Sequence, residues 1–134
     1  MSYNLQKTIE QSKSILSLGP NWDDNGALPI SEKTWNKAIN FITDIQNSLD
    51  YLEVFREIMP VPVIGPCANG SIDIHWSSKN WSLLINVSEN DGIDSDYYGE
   101  IKDTMSIKGT FDSSKLIDGQ GNYIFAAFFI ATPG

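Results

Sequence analysis

Two short stretches near the middle of the chain alternate apolar with polar residues, and they constrain the fold more than any other feature. The apolar positions are Ile72, Ile74 and Trp76 in the first stretch, and Trp81, Leu83, Ile85 and Val87 in the second. A period of two residues is typical of a β-strand with one buried face. Because only the short polar stretch 77–80 separates them, we expect the two strands to pair antiparallel.

Further strands are predicted on both sides of this pair. Residues 93–101 and 105–111 form two of them, and the turn 102–104 joins these two. The prolines at 60, 62 and 66 restrict residues 61–65 to an edge strand or an extended segment, because proline has no amide to donate. The dipeptide Asn69-Gly70 predicts a two-residue hairpin turn. Leu84 interrupts the polar face of its strand, which suggests that this face is also partly covered.

The first sixty residues have helical patterns instead. Residues 3–18 place Leu5, Ile9, Ile15 and Leu16 near one face of a helix, which Gly19-Pro20 ends. Ser31 is the predicted cap of a second helix, and Glu32 suits the positive end of its dipole. An apolar stripe follows the cap, formed by Trp35, Ala38, Ile39, Ile42, Ile45, Leu49, Leu52 and Phe55.

This order of elements predicts an α+β fold, because helices that precede a run of strands favour it over a parallel α/β fold. Two or three N-terminal helices pack on one face of a 4–5-stranded antiparallel meander sheet. The stripe leaves open whether one long helix or two shorter ones precede the sheet. We expect a single domain over 1–134, with 1–59 as the helical part and 60–134 as the sheet part.

The C-terminal segment contains an unbroken apolar run at 123–131. It predicts either a last strand buried on both sides or a surface that docks a partner or a second copy as a homodimer. Under the second interpretation the candidate contact residues are Phe125, Phe128 and Phe129. Residues 112–117 are expected to form a short helical turn.

The chain carries a formal charge of −8, from 17 acids against nine bases. This sign argues against direct nucleic-acid binding and against an anionic membrane surface. The acids concentrate between residues 89 and 103, a segment that contains one lysine and no arginine. The segment is either a solvated loop and strand face or a surface for a basic protein partner. Its candidate partner-binding residues are Glu89, Asp91, Asp94, Asp96 and Glu100.

Two motifs together resemble a set of small bacterial proteins without assigned activity. The first runs Asn21-Trp22-Asp23-Asp24-Asn25-Gly26-Ala27-Leu28-Pro29-Ile30-Ser31, and the second runs Gly70-Ser71-Ile72-Asp73-Ile74-His75-Trp76. The resemblance covers roughly residues 16–87 and implies an order of loop, helix and strand, but no catalytic residue. We interpret the motif positions as structural: Trp22, Asp23, Gly26, Pro29, Ser31, Gly70 and Trp76. Both tryptophans are expected to pack into the core.

Motifs for catalysis or cofactor binding are scarce. Cys67 and His75 are the single cysteine and the single histidine, which is too few for a zinc site and excludes an internal disulfide. The Asp23 loop lacks the ligand spacing of a calcium loop. We therefore expect no metal and no cofactor. The leading hypothesis is a cytoplasmic, non-enzymatic protein-interaction module of the kind that serves as an accessory, immunity or inhibitor protein of a bacterial or phage defence or toxin system. The alternatives are an acidic nucleic-acid mimic that blocks a basic cleft, and a small hydrolase using Cys67 and His75.

Overall fold

Helices come first along the chain and a sheet follows. The computed structural model describes residues 3–51, 60–90 and 95–111. Helix α1 spans Tyr3–Ser12 and continues as a 3₁₀ helix over Lys13–Ser17, and helix α2 spans Glu32–Tyr51. The strands are β1 Val63–Pro66, β2 Ile72–Ser77, β3 Trp81–Val87, β4 Ser95–Ile101 and β5 Met105–Phe111. All neighbours pair antiparallel in the order β1-β2-β3-β4-β5. The predicted α+β meander is confirmed.

The change from α-helix to 3₁₀ helix after Ser12 has a local cause. The hydroxyl of Ser12 donates to the carbonyl of Ile9 at 2.6 Å, and Ser14 and Ser17 make the same bond to Gln11 and Ser14. Serine hydroxyls that bond the backbone three residues earlier compete with regular helix geometry. The segment ends at Leu18, which is extended, as the following Gly19-Pro20 predicts.

Helix α2 begins where its cap predicts. The Oγ of Ser31 accepts a hydrogen bond from the amide of Thr34 at 3.1 Å, which satisfies one of the free donors of the first turn. Ile30 and Trp35, on either side of the cap, are both buried. The helix is continuous through Asn47 as far as Tyr51, while the stripe positions Leu52 and Phe55 lie outside the described residues.

The core lies between α2 and the central strands. Every predicted apolar position of β2 and β3 is buried, and so are Trp35, Ala38, Ile42 and Ile45 on α2. Phe41 is fully buried as well, although the predicted stripe omits it; its ring lies 5.4 Å from that of Phe111 on β5. Each of these large buried side chains contributes about 1.5–3 kcal/mol of hydrophobic free energy, so the helix–sheet interface dominates the stability of the fold.

The turn between β1 and β2 differs from the prediction. The amide of Gly70 donates to the carbonyl of Cys67 at 3.0 Å, and the amide of Cys67 donates to the carbonyl of Ser71 at 2.9 Å. This pattern makes a three-residue loop, 68–70, rather than a two-residue turn. Gly70 alone has a positive φ there, at 91°, whereas the type I′ two-residue turn that Asn-Gly favours requires a positive φ at both central positions. Asn69 therefore stays in ordinary backbone geometry.

The loop that carries Trp22 is held together by its own polar groups. One carboxylate oxygen of Asp23 accepts from the amides of Asn25 and Ala27 at 2.8 and 3.0 Å, and Gly26 has a φ of 82°. The indole of Trp22 is half-buried and donates to the carbonyl of Leu28 at 2.8 Å, so it closes the loop instead of joining the core cluster. Trp22 is placed differently from our expectation because the loop offers its indole a nearby acceptor.

Candidate functional site: the open face of the sheet

Within residues 3–51, 60–90 and 95–111, no element covers the face of the sheet opposite the helices. Because side chains alternate across a strand, the residues between the core positions all point away from α2. In the described part of the chain, each of these outward residues is exposed or half-buried. We call this surface the open face, and its members are Val63, Asp73, His75, Ser77, Ser82, Leu84, Asn86, Asp96, Tyr98, Glu100, Ser106, Lys108 and Thr110.

A row of side chains crosses the centre of the open face from one sheet edge to the other. The strand register pairs Val63 with His75, His75 with Leu84, Leu84 with Tyr98, and Tyr98 with Lys108. Val63, Leu84 and Tyr98 are among the exposed large hydrophobic residues, at 69%, 37% and 44%. Directly paired side chains on one face touch or nearly touch, so the three apolar groups and His75 form one band. Single exposed apolar residues are common, so it is their alignment on one face that makes this band a candidate contact surface.

Two acids predicted to bind a partner flank this band. Asp96 and Glu100 lie on β4, two residues before and two residues after Tyr98, and both are exposed. Strand geometry separates them by about 13 Å along the sheet. Within the described ranges, neither carboxylate receives a hydrogen bond or an ion pair.

The other predicted partner-binding residues are not brought to this face. Glu89 is exposed in the loop after β3, away from the rows of paired side chains. Asp91, Asp94, Phe125, Phe128 and Phe129 lie outside the described residues. Sequence reasoning missed Val63 and Tyr98 as surface residues. The available signal was an apolar residue at an outward position of a period-two strand. At Leu84 we interpreted this signal as partial cover of the face, but Leu84 is 37% exposed and no described element covers it.

A hydrogen-bonded polar cluster occupies the end of the open face near the β1–β2 loop. The side-chain amide of Asn86 donates to the hydroxyl of Ser71 at 2.8 Å and to the carboxylate of Asp73 at 2.9 Å, and lies 3.8 Å from the sulfur of Cys67. The side-chain oxygen of Asn69 accepts from both the amide and the hydroxyl of Ser71. The polar groups of this cluster satisfy one another, which gives the cluster a structural role.

The surroundings of Cys67 keep its thiol protonated. Burial, and after it the hydrogen bond to Asp73, raise the pKa of the Cys67 thiol to about 11. A catalytic cysteine needs the opposite shift, because only the thiolate is a strong nucleophile.

His75 lies too far along the sheet to serve as the base. It pairs with Val63, four residues from Cys67 on the β1 side of the hairpin, which is about 13 Å of extended chain. This arrangement gives no support to a nucleophile pair made of Cys67 and His75.

A shallow depression lies at the opposite end of the open face. Its volume is about 210 Å³, it is largely open to solvent, and it is lined by Ser78, Lys79, Asn80, Trp81, Ser82, Glu100 and Lys102. Of these residues Trp81 is buried, whereas both lysines and Glu100 are exposed. A depression this open does not exclude water from a reacting group, so it offers no catalytic cleft.

In the part of the chain that the structure describes, no group of three or more histidine, cysteine, aspartate or glutamate side chains could hold a metal ion. No helix among these residues has the length and apolar character needed to span a bilayer. The fold thus defines a small α+β protein, and its described elements leave one face of the sheet exposed. No family model, curated protein or solved structure matches this chain.

Proposed function

We propose that this protein is a non-enzymatic protein-binding module and that the open face is its docking surface. The observation that carries the proposal is the band of Val63, His75, Leu84 and Tyr98, aligned by the strand register across a face that no described element covers. Protein interfaces combine an apolar and aromatic centre with a polar rim. The open face has this composition, since serines, a threonine and charged groups surround the band.

The chemistry of the remaining groups favours binding over catalysis. The thiol of Cys67 is held protonated, and the carboxylate of Asp23 is engaged by backbone amides. Enzymes activate their nucleophiles and bases in enclosed sites, by burial or by neighbouring charges. The proposal includes a role as an accessory, immunity or inhibitor protein in the cytoplasm. It also includes kinship with small bacterial proteins that share the Trp22 and Gly70 motifs.

An acidic nucleic-acid mimic is the second candidate function. It is favoured by the unpaired carboxylates of Asp96 and Glu100, which point in one direction from β4. The apolar side chain of Tyr98 between them and the ammonium of Lys108 beside it fit a phosphate mimic less well than a protein-docking surface.

Affinity purification from cells of the source organism tests the proposal. We expect the wild-type chain to recover a stoichiometric partner, and the double variant Leu84→Ser/Tyr98→Ser to lose it. The control is Tyr3→Ser/Leu28→Ser, which removes two apolar side chains that are 76% and 55% exposed and lie outside the open face. Both variants are expected to fold, because substitutions at exposed positions usually change stability by no more than about 0.5 kcal/mol.

Two results would contradict the proposed function. One is recovery of no stoichiometric partner by the wild-type chain. The other is equal recovery by the wild-type chain and by the open-face variant, with circular dichroism showing that both are folded.

A further inference from the structure

We infer that the partner of the open face is a protein surface that places lysine or arginine side chains on either side of an apolar centre. The inference rests on the proposed function and adds the chemistry of the partner. Its basis is the position of two exposed, unpaired carboxylates, those of Asp96 and Glu100, beside the exposed ring of Tyr98.

The first step concerns what docking does to these carboxylates. A partner that covers Tyr98 closely must displace water from the carboxylates two residues away on the same strand. An ionised carboxylate that loses its water without gaining a cation or hydrogen-bond donors is strongly destabilised. Among the described residues neither Asp96 nor Glu100 has a partner, and we therefore infer that the docked protein supplies the compensating groups. Two basic side chains about 13 Å apart would satisfy both.

The second step compares this partner with a second copy of the chain. Another copy would bring an open face with three carboxylates, those of Asp73, Asp96 and Glu100, and one ammonium, that of Lys108. Each chain also carries a formal charge of −8, so electrostatic repulsion opposes self-association. A basic partner gains from the same charges and is steered towards the face.

The third step uses the size of the surface. Five strands spaced about 4.8 Å apart and about 20 Å long give a flat footprint of about 400 Å². Stable interfaces bury about 800 Å² on each partner. The open face by itself therefore has the size of a weak or transient contact, and it is small for an obligate homodimer.

Site-specific photo-crosslinking of the full chain in cells of the source organism tests the inference. The probe is p-benzoylphenylalanine in place of Tyr98, and mass spectrometry identifies the crosslinked peptide. We expect a peptide that contains lysine or arginine next to apolar residues. The variant Asp96→Asn/Glu100→Gln should reduce the adduct about fivefold. In a lysate, raising the salt from about 50 to about 300 mM before illumination should reduce it similarly.

A matched control separates the open-face charges from the net charge. Glu10→Gln/Asp24→Asn also removes two exposed carboxylates, from α1 and from the Trp22 loop, and should leave the adduct within about twofold of the original.

Three outcomes would overturn the inference. An adduct with the mass of two copies of this chain would identify a second copy as the occupant. An adduct with another protein, whose yield changes neither with salt nor with Asp96→Asn/Glu100→Gln, would leave the proposed function intact but refute the inference that the partner is basic. If no adduct forms at Tyr98 while the purification still recovers a partner, the partner binds another surface of the molecule.

Discussion

Replacing Gly109 by alanine tests how tightly β4 and β5 pack on the side of the sheet that faces the core. Gly109 is paired directly with Tyr97, whose side chain lies across it. A Cβ built on Gly109 would lie 2.7 Å from the hydroxyl oxygen of Tyr97, 2.9 Å from Cζ and 3.0 Å from Cε1. These separations are shorter than real Cβ contacts, so the tyrosine ring must move. The ring is also 6.2 Å from that of Phe111, which restricts the direction in which it can go.

Two effects of opposite sign decide the outcome. Alanine reduces the conformational freedom of the unfolded chain, which stabilises the fold by about 0.4–1 kcal/mol. Forcing an extra methyl group into a packed contact costs about 1–3 kcal/mol. The steric effect is larger, so we expect Gly109→Ala to lower the free energy of unfolding by about 1–2 kcal/mol. For a chain of 134 residues this corresponds to a fall in Tm of about 4–7 °C.

Thermal and urea unfolding, followed by circular dichroism, measure the change. The matched control is Gly65→Ala on β1, where a Cβ meets no atom within 4 Å, so this variant should be neutral or slightly stabilised. In a Tyr97→Leu background the clash is removed, and Gly109→Ala should then behave like Gly65→Ala. The reasoning is refuted if Gly109→Ala is as stable as the wild type, or if its penalty is unchanged in the Tyr97→Leu background.

Three further predictions concern polar groups. Ser31→Ala removes the cap of α2 and should cost about 1 kcal/mol in urea unfolding; a change below about 0.3 kcal/mol would contradict the cap. Asn86→Ala leaves Asp73 and Ser71 without their amide donor, and should destabilise the fold by about 1–3 kcal/mol, whereas an unchanged urea midpoint would show that water replaces the amide. The raised pKa of Cys67 favours the folded state below the ordinary thiol pKa, and this contribution is lost as the pH rises towards about 11. Wild-type stability should therefore fall more steeply than that of Cys67→Ala between about pH 8 and pH 11, and parallel curves would exclude this effect.

Local patterns determined the elements of this fold because each depends on neighbours in sequence. The alternation from Ile72 to Val87 predicted both central strands with their buried faces, and Ser31 predicted the start of α2. The same α2 pattern also contained Phe41, three residues after Ala38 and four before Ile45, so its burial could have been predicted from spacing alone.

Other features depended on backbone geometry that composition does not specify. Asn69-Gly70 is common in two hairpin types, and the hydrogen bonds of Cys67 with Gly70 and Ser71 select the three-residue one. Trp22 is large and apolar, but the acceptor at Leu28 holds it within its loop. The separation of Cys67 from His75 follows from the register of β1 on β2, which no local pattern encodes.

The sequence by itself determined that strands would alternate buried and outward positions, that helices would precede them, and that the chain would be acidic. Only the tertiary structure decided that Val63, Leu84 and Tyr98 form one band and that Asp96 and Glu100 border it. The physical reason is that residues far apart in the chain become neighbours through strand register. That register is set by burial and turn geometry over the whole sheet, and not by any single segment.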